Sequence, residues 1–444
     1  MTVRVLLVGN GGREHAIAEA TVMSPTDVKL YAIMSYKNPG IAKLCDDYRI
    51  ADLTNFVAMK EFIQRIRPNF AIIGPEAPLG AGIADFFEEY NIPTVGPKKS
   101  LARLETSKAF TRELMQKYNI EGLPRFRVFE SSEGLTEYLE ELGQVVVKPD
   151  GLTGGKGVKV QGDHFKTLNE AYDYAMEILS KKQKVVIEEK LEGEEFSLQS
   201  FVSGETVLDF PVVQDHKRAY EEDKGPNTGG MGSYSDANHL LPFLDENDVK
   251  QAHAITEKVA KAIMKECGEA YRGVMYGGFI KTANGVKLIE YNARFGDPEA
   301  MNVLPLIKSD FVEVCQALVS GKLDRVKMEF ENKATVCKYA VPEGYPGKPV
   351  KGETIDLSLV GKDARVFYAS VEDKPEGLVM LGSRAVAFVG IADTISEAES
   401  IAEFAVSRVK GPVFHRSDIG TRRLIERRVK HIRRLLQNND GSKD

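Results

Sequence analysis

The stretch VVVKPDGLTGGKGVKV, residues 145–160, decides how the rest of the chain is read. Three valines running into Lys148 read as a buried strand, and Gly151, Gly154, Gly155 and Gly157 then crowd a loop around a second lysine, Lys156. Glycines let main-chain N–H groups approach an anion, while lysines add point charges that a polyphosphate needs and a core does not. The stretch is therefore read as a phosphate grip, against the plainer alternative of a glycine-rich hairpin with solvated lysines. It is not a G-x-x-x-x-G-K-[ST] loop, because Lys156 is followed by Gly157.

The chain around it has 444 residues, room for about three domains. A net charge of −6 excludes a protein built as a whole to coat nucleic acid or an anionic membrane. Cys45, Cys267, Cys315 and Cys337 form no C-x-x-C pair and have no histidines clustered with them, which argues against disulfides or structural zinc and for a reducing, cytoplasmic setting. No apolar run approaches the ~18 residues of a membrane span, and the opening VRVLLV is too short for a signal peptide.

Upstream, residues 3–8 read as a buried strand leading into GNGGREHA (9–16), whose Gly9, Asn10, Gly11 and Gly12 open a helix where an anion can sit. Strands at 29–33 and 70–74 alternate with a helix at 56–67, which means a parallel sheet with ligands at the carboxyl ends of its strands. Glu76, in GPEAPL, stands at such an end, either as a ligand contact or as a helix N-cap. Lys108 begins a helix over 107–118, a place the macrodipole disfavours for a cation unless an anion shares it. A strand near 125–129, helices at 133–142 and 168–179 and the strand at 185–191 complete, with the opening stretch, a small glycine-hinged lid.

Downstream, residues 214–235 carry charge and glycine without a strand or helix pattern, and a loop of that length is functional or disordered. Asp215, His216, Lys217 and Arg218, with the constrained GPNTGGMG that holds Gly229 and Gly230, favour function. A hairpin turns at Asn284-Gly285, and on its second strand Glu290 and Asn292 share one face. Two oxygen donors on one face suit magnesium, which takes one or two protein ligands and fills its other positions with water and phosphate. Arg294, Asp297 and Glu299 crowd behind. From 331 onward short strands and one helix read as an antiparallel-sheet domain. The closing helix RRLIERRVKHIRRLL (422–436) has an apolar stripe ringed by arginines, read as a solvated face or one meeting the acidic body rather than a nucleic-acid arm.

Taken together, the Lys148 strand with its glycine loop, IEEKLEGEEFS (187–197) and the E-x-N strand resemble the ATP-grasp fold. The ordered set GNGGREHA, GPEAPL, SKAFT, KPDGLTGGKGV, QDHKR, GPNTGGMGSYS, YNARFGDPE and HRSDIG is similar to the glycinamide ribonucleotide synthetase family over nearly the whole chain. The resemblance implies a multidomain α/β and α+β protein: a parallel α/β domain (1–104), an ATP-grasp domain (105–330) with its lid at about 124–192 and an antiparallel-sheet C-terminal α+β domain (331–436); the tail QNNDGSKD (437–444) reads as disordered from its composition.

It also implies an ATP-dependent ligase of purine biosynthesis acting on glycine and 5-phosphoribosylamine. ATP is expected between two sheets, with Lys108 and Lys148 on its phosphates and the loop of Gly154, Gly155, Lys156 and Gly157 closing over them. Glu188 is expected to accept from the adenine amino group, Leu191 to offer main-chain contacts and Glu195 to take the ribose hydroxyls. Glu290 and Asn292 would hold Mg²⁺, with Mn²⁺ as the alternative. Lys148 and Arg294 would neutralise the transferring phosphoryl group, Asp215 or Asp297 would anchor the glycine ammonium, and Gly9 to Gly12 would take the sugar phosphate. No nucleic acid or membrane partner is expected, and the chain is expected to work as a monomer or homodimer in the cytoplasm.

Overall fold

In the computed structural model of the chain, residues 2–152, 154 and 157–440 are described. The apolar run Val3–Val8 is buried on both faces as the middle of a five-stranded parallel sheet. The order is Asp47–Ile50, Val28–Met34, Val3–Val8, Phe70–Ile73, Thr94–Val95. Its carboxyl edge delivers the start of the helix Gly12–Val22 and the start of the helix Glu76–Ala81 to one side of the molecule.

The lid is a four-stranded antiparallel sheet ordered Phe126–Phe129, Val185–Glu189, Val145–Pro149, Lys159–Val160. The helices Leu135–Leu142 and Leu168–Ser180 cover it, and the unit has an apolar core of its own around Leu135, Val145, Val147, Ile178 and Ile187. A separate core lets a unit move as one body, which is what closure over a ligand requires. Facing it is a second antiparallel sheet of Thr206–Asp209, Glu194–Ser203, Arg272–Thr282 and Gly285–Asn292. Gly285 takes φ 91° in the tight turn of its hairpin, as the Asn-Gly pair demands.

Two expectations change here. Residues 214–235 are not an irregular loop: Gln214–Asp215 and Gly232–Ser235 pair with each other, and Gly232–Ser235 also pairs with Ala334–Pro342 in the C-terminal sheet. Between them Arg218–Tyr220 and Lys224–Asn227 form a hairpin. Strands this short have no readable period, and their partner lies far along the chain, so only tertiary pairing makes them strands. The six-stranded sheet completed by Val386–Ala392, Arg365–Tyr368 and Val413–Phe414 thus crosses position 331, where a separate domain was expected to begin.

The closing helix runs over Arg422–Asp440, so residues 437–440 are helical where a disordered tail was expected, while 441–444 lie outside the described residues. Leu424 and Ile432 are buried against the body, and the cationic face does meet acids: Arg428 pairs with Asp223 at 2.6 Å and Glu194 at 3.3 Å, and His431 with Glu194 at 2.6 Å. Among the described residues no helix is long and apolar enough to cross a membrane.

Candidate active cleft

A cleft of about 1770 Å³ opens between the lid, the facing antiparallel sheet, the carboxyl edge of the parallel sheet and the C-terminal unit. Glu76, Lys108, Lys148, Gly154, Glu188, Leu191, Glu195, Asp215, Lys217, Arg218, Gly229, Glu290, Asn292, Arg294 and Asp297 line it. Gly9, Asn10, Gly11, Gly12, Gly157 and Gly230 do not, and Gly155 and Lys156 lie outside the described residues.

Lys148, near the end of its lid strand, is buried. Its Nζ lies 2.8 Å from Glu188 Oε2 and donates to the Ile289 carbonyl at 3.2 Å. Glu188 also receives a two-pronged contact from Arg112, with Nε at 2.7 Å and Nη2 at 3.0 Å. Burial pushes the Glu188 carboxyl up, but Arg112 and Lys148 outweigh it and hold it at about 2. Its oxygens are therefore engaged within the protein, which differs from the expected role of accepting from an adenine amino group.

Lys108 is the first residue of the helix Lys108–Lys117 and donates to the carbonyls of Gly151 at 2.8 Å and Pro149 at 3.3 Å, at the mouth of the glycine loop. The cation is tolerated at a helix start because Asp150 accepts there from the Ala109 N–H at 3.1 Å and from Ser107 Oγ. Burial, with Lys148 nearby, holds its ammonium below the usual lysine value against the pull of Glu290.

Glu290 and Asn292 stand on the strand Gly285–Asn292, which ends where the cleft is deepest in cations. Lys217 Nζ lies 3.7 Å from Glu290, whose carboxyl is pushed up by its recessed setting but held low by Lys217, Lys148, Lys108 and Arg294. Arg294 Nη2 donates to Asn292 Oδ1 at 3.4 Å, and its guanidinium is tied to Glu105 at 3.1 Å and Glu76 at 3.5 Å. Among the described residues no group of three acids, histidines or cysteines could hold a metal by itself. One carboxylate and one amide oxygen, balanced by lysines that hold an anion close, are a donor set for a hard cation that arrives with phosphate.

Of the two expected anchors for an ammonium, Asp297 is engaged: it accepts from Tyr339 Oη at 2.6 Å and the Arg13 N–H at 3.2 Å, and pairs with Arg384 at 3.2 Å. Asp215 makes no side-chain hydrogen bond or ion pair among the described residues and faces the cleft. Beside it Glu299 is buried and accepts from Tyr276 Oη at 2.7 Å; burial and Asp215 push its carboxyl up to about 7.

The glycine turn at 9–12 behaves differently from the expectation of a phosphate seat. The Gly11 N–H donates to Glu14 at 2.7 Å and the Arg13 N–H to Asp297, so the helix start is already faced by two carboxylates. Asn10 Oδ1 accepts from Ser35, and the carbonyls of Gly229 and Gly230 accept from Arg384 at 2.9 and 3.0 Å.

Comparison with known proteins agrees with this architecture along its length. The phosphoribosylglycinamide synthetase N domain matches residues 3–105, the ATP-grasp (A) domain 106–300 and the C domain 335–422. The chain belongs to the phosphoribosylglycinamide synthetase family. A phosphoribosylamine–glycine ligase of Methanocella arvoryzae is 51% identical over 97% of this chain and 99% of its own. That of Methanocaldococcus jannaschii is 52% identical over 98% and 100%. The solved structure of a phosphoribosylamine–glycine ligase from Thermotoga maritima superposes with a TM-score of 0.78 at 31% identity, over 94% of this chain and 100% of that one.

Several residues of this family member's cleft were not singled out as site residues in the sequence. Arg112 follows Lys108 by one helical turn and so shares its face, a signal that was present. Arg13, Glu105, Tyr276 and Arg384 gave none, because each is defined by a partner on another element. His216, counted in the sequence among the residues of 214–235 that favour function but given no role there, is buried against the cleft with neither ring nitrogen hydrogen-bonded among the described residues; burial, with Arg416 and Arg428 nearby, lowers its pKa to about 3 and keeps the ring neutral.

Proposed function

We propose that this chain joins glycine to 5-phosphoribosylamine with cleavage of ATP, in the cytoplasmic synthesis of purines. The observation that carries the reading is the gathering of Lys108, Lys148, Lys217 and Arg294 around the two oxygen donors Glu290 and Asn292, beneath a lid that bears the glycine loop. A glycine carboxylate oxygen attacks the γ-phosphorus, the bond to the β-phosphate oxygen breaks, and ADP and glycyl phosphate result. The amine of phosphoribosylamine then attacks the acyl carbon, the bond to the phosphate oxygen breaks, and the amine gives up a proton. The products are glycinamide ribonucleotide, ADP and phosphate.

Lys148 and Arg294 lie where negative charge spreads over the transferring group, and fixed cations in a recessed site stabilise that charge without reorganisation. Glu290 and Asn292 would hold magnesium, or manganese with the same donors, for further neutralisation of the phosphates. Leu191 and Glu195, which also line the cleft, take the base and ribose ends of the nucleotide. Asp215 anchors the glycine ammonium, being an acid of the cleft that makes no side-chain hydrogen bond or ion pair among the described residues. Glu105 and Glu76 aim Arg294, and the lid keeps water from the acyl phosphate. Because one chain supplies every wall of the cleft, a monomer or a homodimer would serve equally.

The test is ADP release by the purified protein with ATP and Mg²⁺, adding glycine and phosphoribosylamine separately and together. ADP release that depends on the pair, with matching formation of glycinamide ribonucleotide, supports the reading. Turnover driven by bicarbonate, or independent of glycine, would overturn it.

A further inference from the structure

The motif HRSDIG at 415–420 takes no part in the chemistry above, yet it reaches the chain beside Lys217. Arg416 is 1% exposed. Its Nη1 donates to the Arg218 carbonyl and to Asp223 Oδ1, both at 3.2 Å, while Nε and Nη2 donate to the two oxygens of Asp418 at 2.9 and 2.8 Å. Asp418 in turn accepts from the Glu222 N–H at 2.8 Å. The turn so held has Glu222 and Asp223 at φ 60° and 58°, a left-handed conformation that costs a non-glycine residue free energy unless its surroundings impose it. Arg427 and Arg428 add pairs to Asp223 at 2.5 and 2.6 Å.

Lys217 is thereby bracketed. Its own carbonyl accepts from the Thr228 N–H at 2.7 Å, the carbonyl of the next residue accepts from Arg416, and its Nζ stands 3.7 Å from Glu290. The guanidinium makes four donor contacts in fixed directions, two of them a fork onto Asp418 and the others to the Arg218 carbonyl and Asp223; a lysine ammonium has three donors and no planar fork, so it cannot reproduce the set.

We propose that Arg416 is a positioning residue for Lys217: it fixes the main chain at 217–218 so that the Lys217 ammonium stays against Glu290, and through it the C-terminal segment sets the affinity of the cleft's phosphate end. The inference rests on the reading of that end as the ATP site. A residue that only packs the C-terminal unit would change melting temperature alone, whereas a positioning residue changes the Michaelis constant for one substrate.

The experiment uses the full chain and three variants, Arg416→Lys, Asp223→Asn and Arg427→Ala, with ATP and Mg²⁺ varied at saturating glycine and phosphoribosylamine, and glycine varied in turn. Arg416→Lys and Asp223→Asn are expected to raise the KM for Mg·ATP roughly tenfold, the usual cost of losing a partner that orients a contacting residue. The KM for glycine should stay within about twofold, the noise of distant, independent sites. Arg427, which touches Asp223 but not the main chain at 218, serves as the control and should leave the Mg·ATP constant unchanged. Should Arg416→Lys fail to fold, Asp223→Asn decides alone. A fall in melting temperature with an unaltered KM for Mg·ATP, or an equal rise in both constants, overturns the inference. A wild-type chain that forms no product indicts the proposed function instead.

Discussion

Glu188→Gln gives the sharpest separation between a structural and a ligand-binding carboxylate. In the structure this side chain is 5% exposed and is shared by Arg112 and Lys148. A carboxyl held at about 2 instead of its ordinary 4.5 is stabilised in the folded chain by about 3 kcal/mol, at 1.4 kcal/mol per pH unit. The same figure follows from the other side: removing one member of a buried, hydrogen-bonded ion pair leaves its partners uncompensated and costs roughly 3–5 kcal/mol.

The amide of Gln keeps one acceptor for Arg112 but turns an N–H₂ toward Lys148, so the loss is expected near the lower bound. The loss would also reach beyond the lid, because Arg112 and Lys148 both donate to the Ile289 carbonyl on the facing sheet. The assay is urea unfolding of wild type and variant at pH 7, alongside binding of ATP and GTP by calorimetry. A stability loss of about 3 kcal/mol with an unchanged preference for ATP over GTP is expected. A loss below about 1 kcal/mol, within the range of an ordinary surface substitution, together with collapse of the preference for adenine, would refute the reasoning and restore Glu188 to the base.

Further outcomes follow from other parts of the cleft and body. Glu290→Ala should lower kcat by about two to three orders of magnitude while the melting temperature stays near that of the wild type, since the residue faces the cleft rather than the core; an active variant would remove it from the metal site. Glu299 has its carboxyl raised to about 7, so the stability tied to its neutral form is fully present below its ordinary 4.5 and is lost as pH rises toward 7. Glu299→Gln, which cannot ionise, should therefore match the wild type in stability at pH 4 and exceed it at pH 8 in parallel denaturant titrations. Gly390 lies where the strand Val386–Ala392 meets the helix Ile395–Val406, and a Cβ there would run into the Ala398 carbonyl. Gly390→Ala should cost about 2 kcal/mol by overpacking, read in the same titrations.

What the sequence by itself determined is the local chemistry. The parallel start, the lysine strand with its glycine loop, the Asn-Gly hairpin and the shared face of Glu290 and Asn292 follow from periodicity and turn residues that act within a few positions. The eight ordered motifs likewise pointed to the family that the comparisons show. Tertiary structure alone decided which charges meet. Glu188 faces Arg112 and Lys148, and Asp297 is engaged by Arg13, Tyr339 and Arg384. It also made strands of 214–235 by supplying their partner from Ala334–Pro342. The physical reason is the same in each case. A buried charge or an unpaired strand edge takes its role from the group that satisfies it, and in this chain that group comes from another element of the fold.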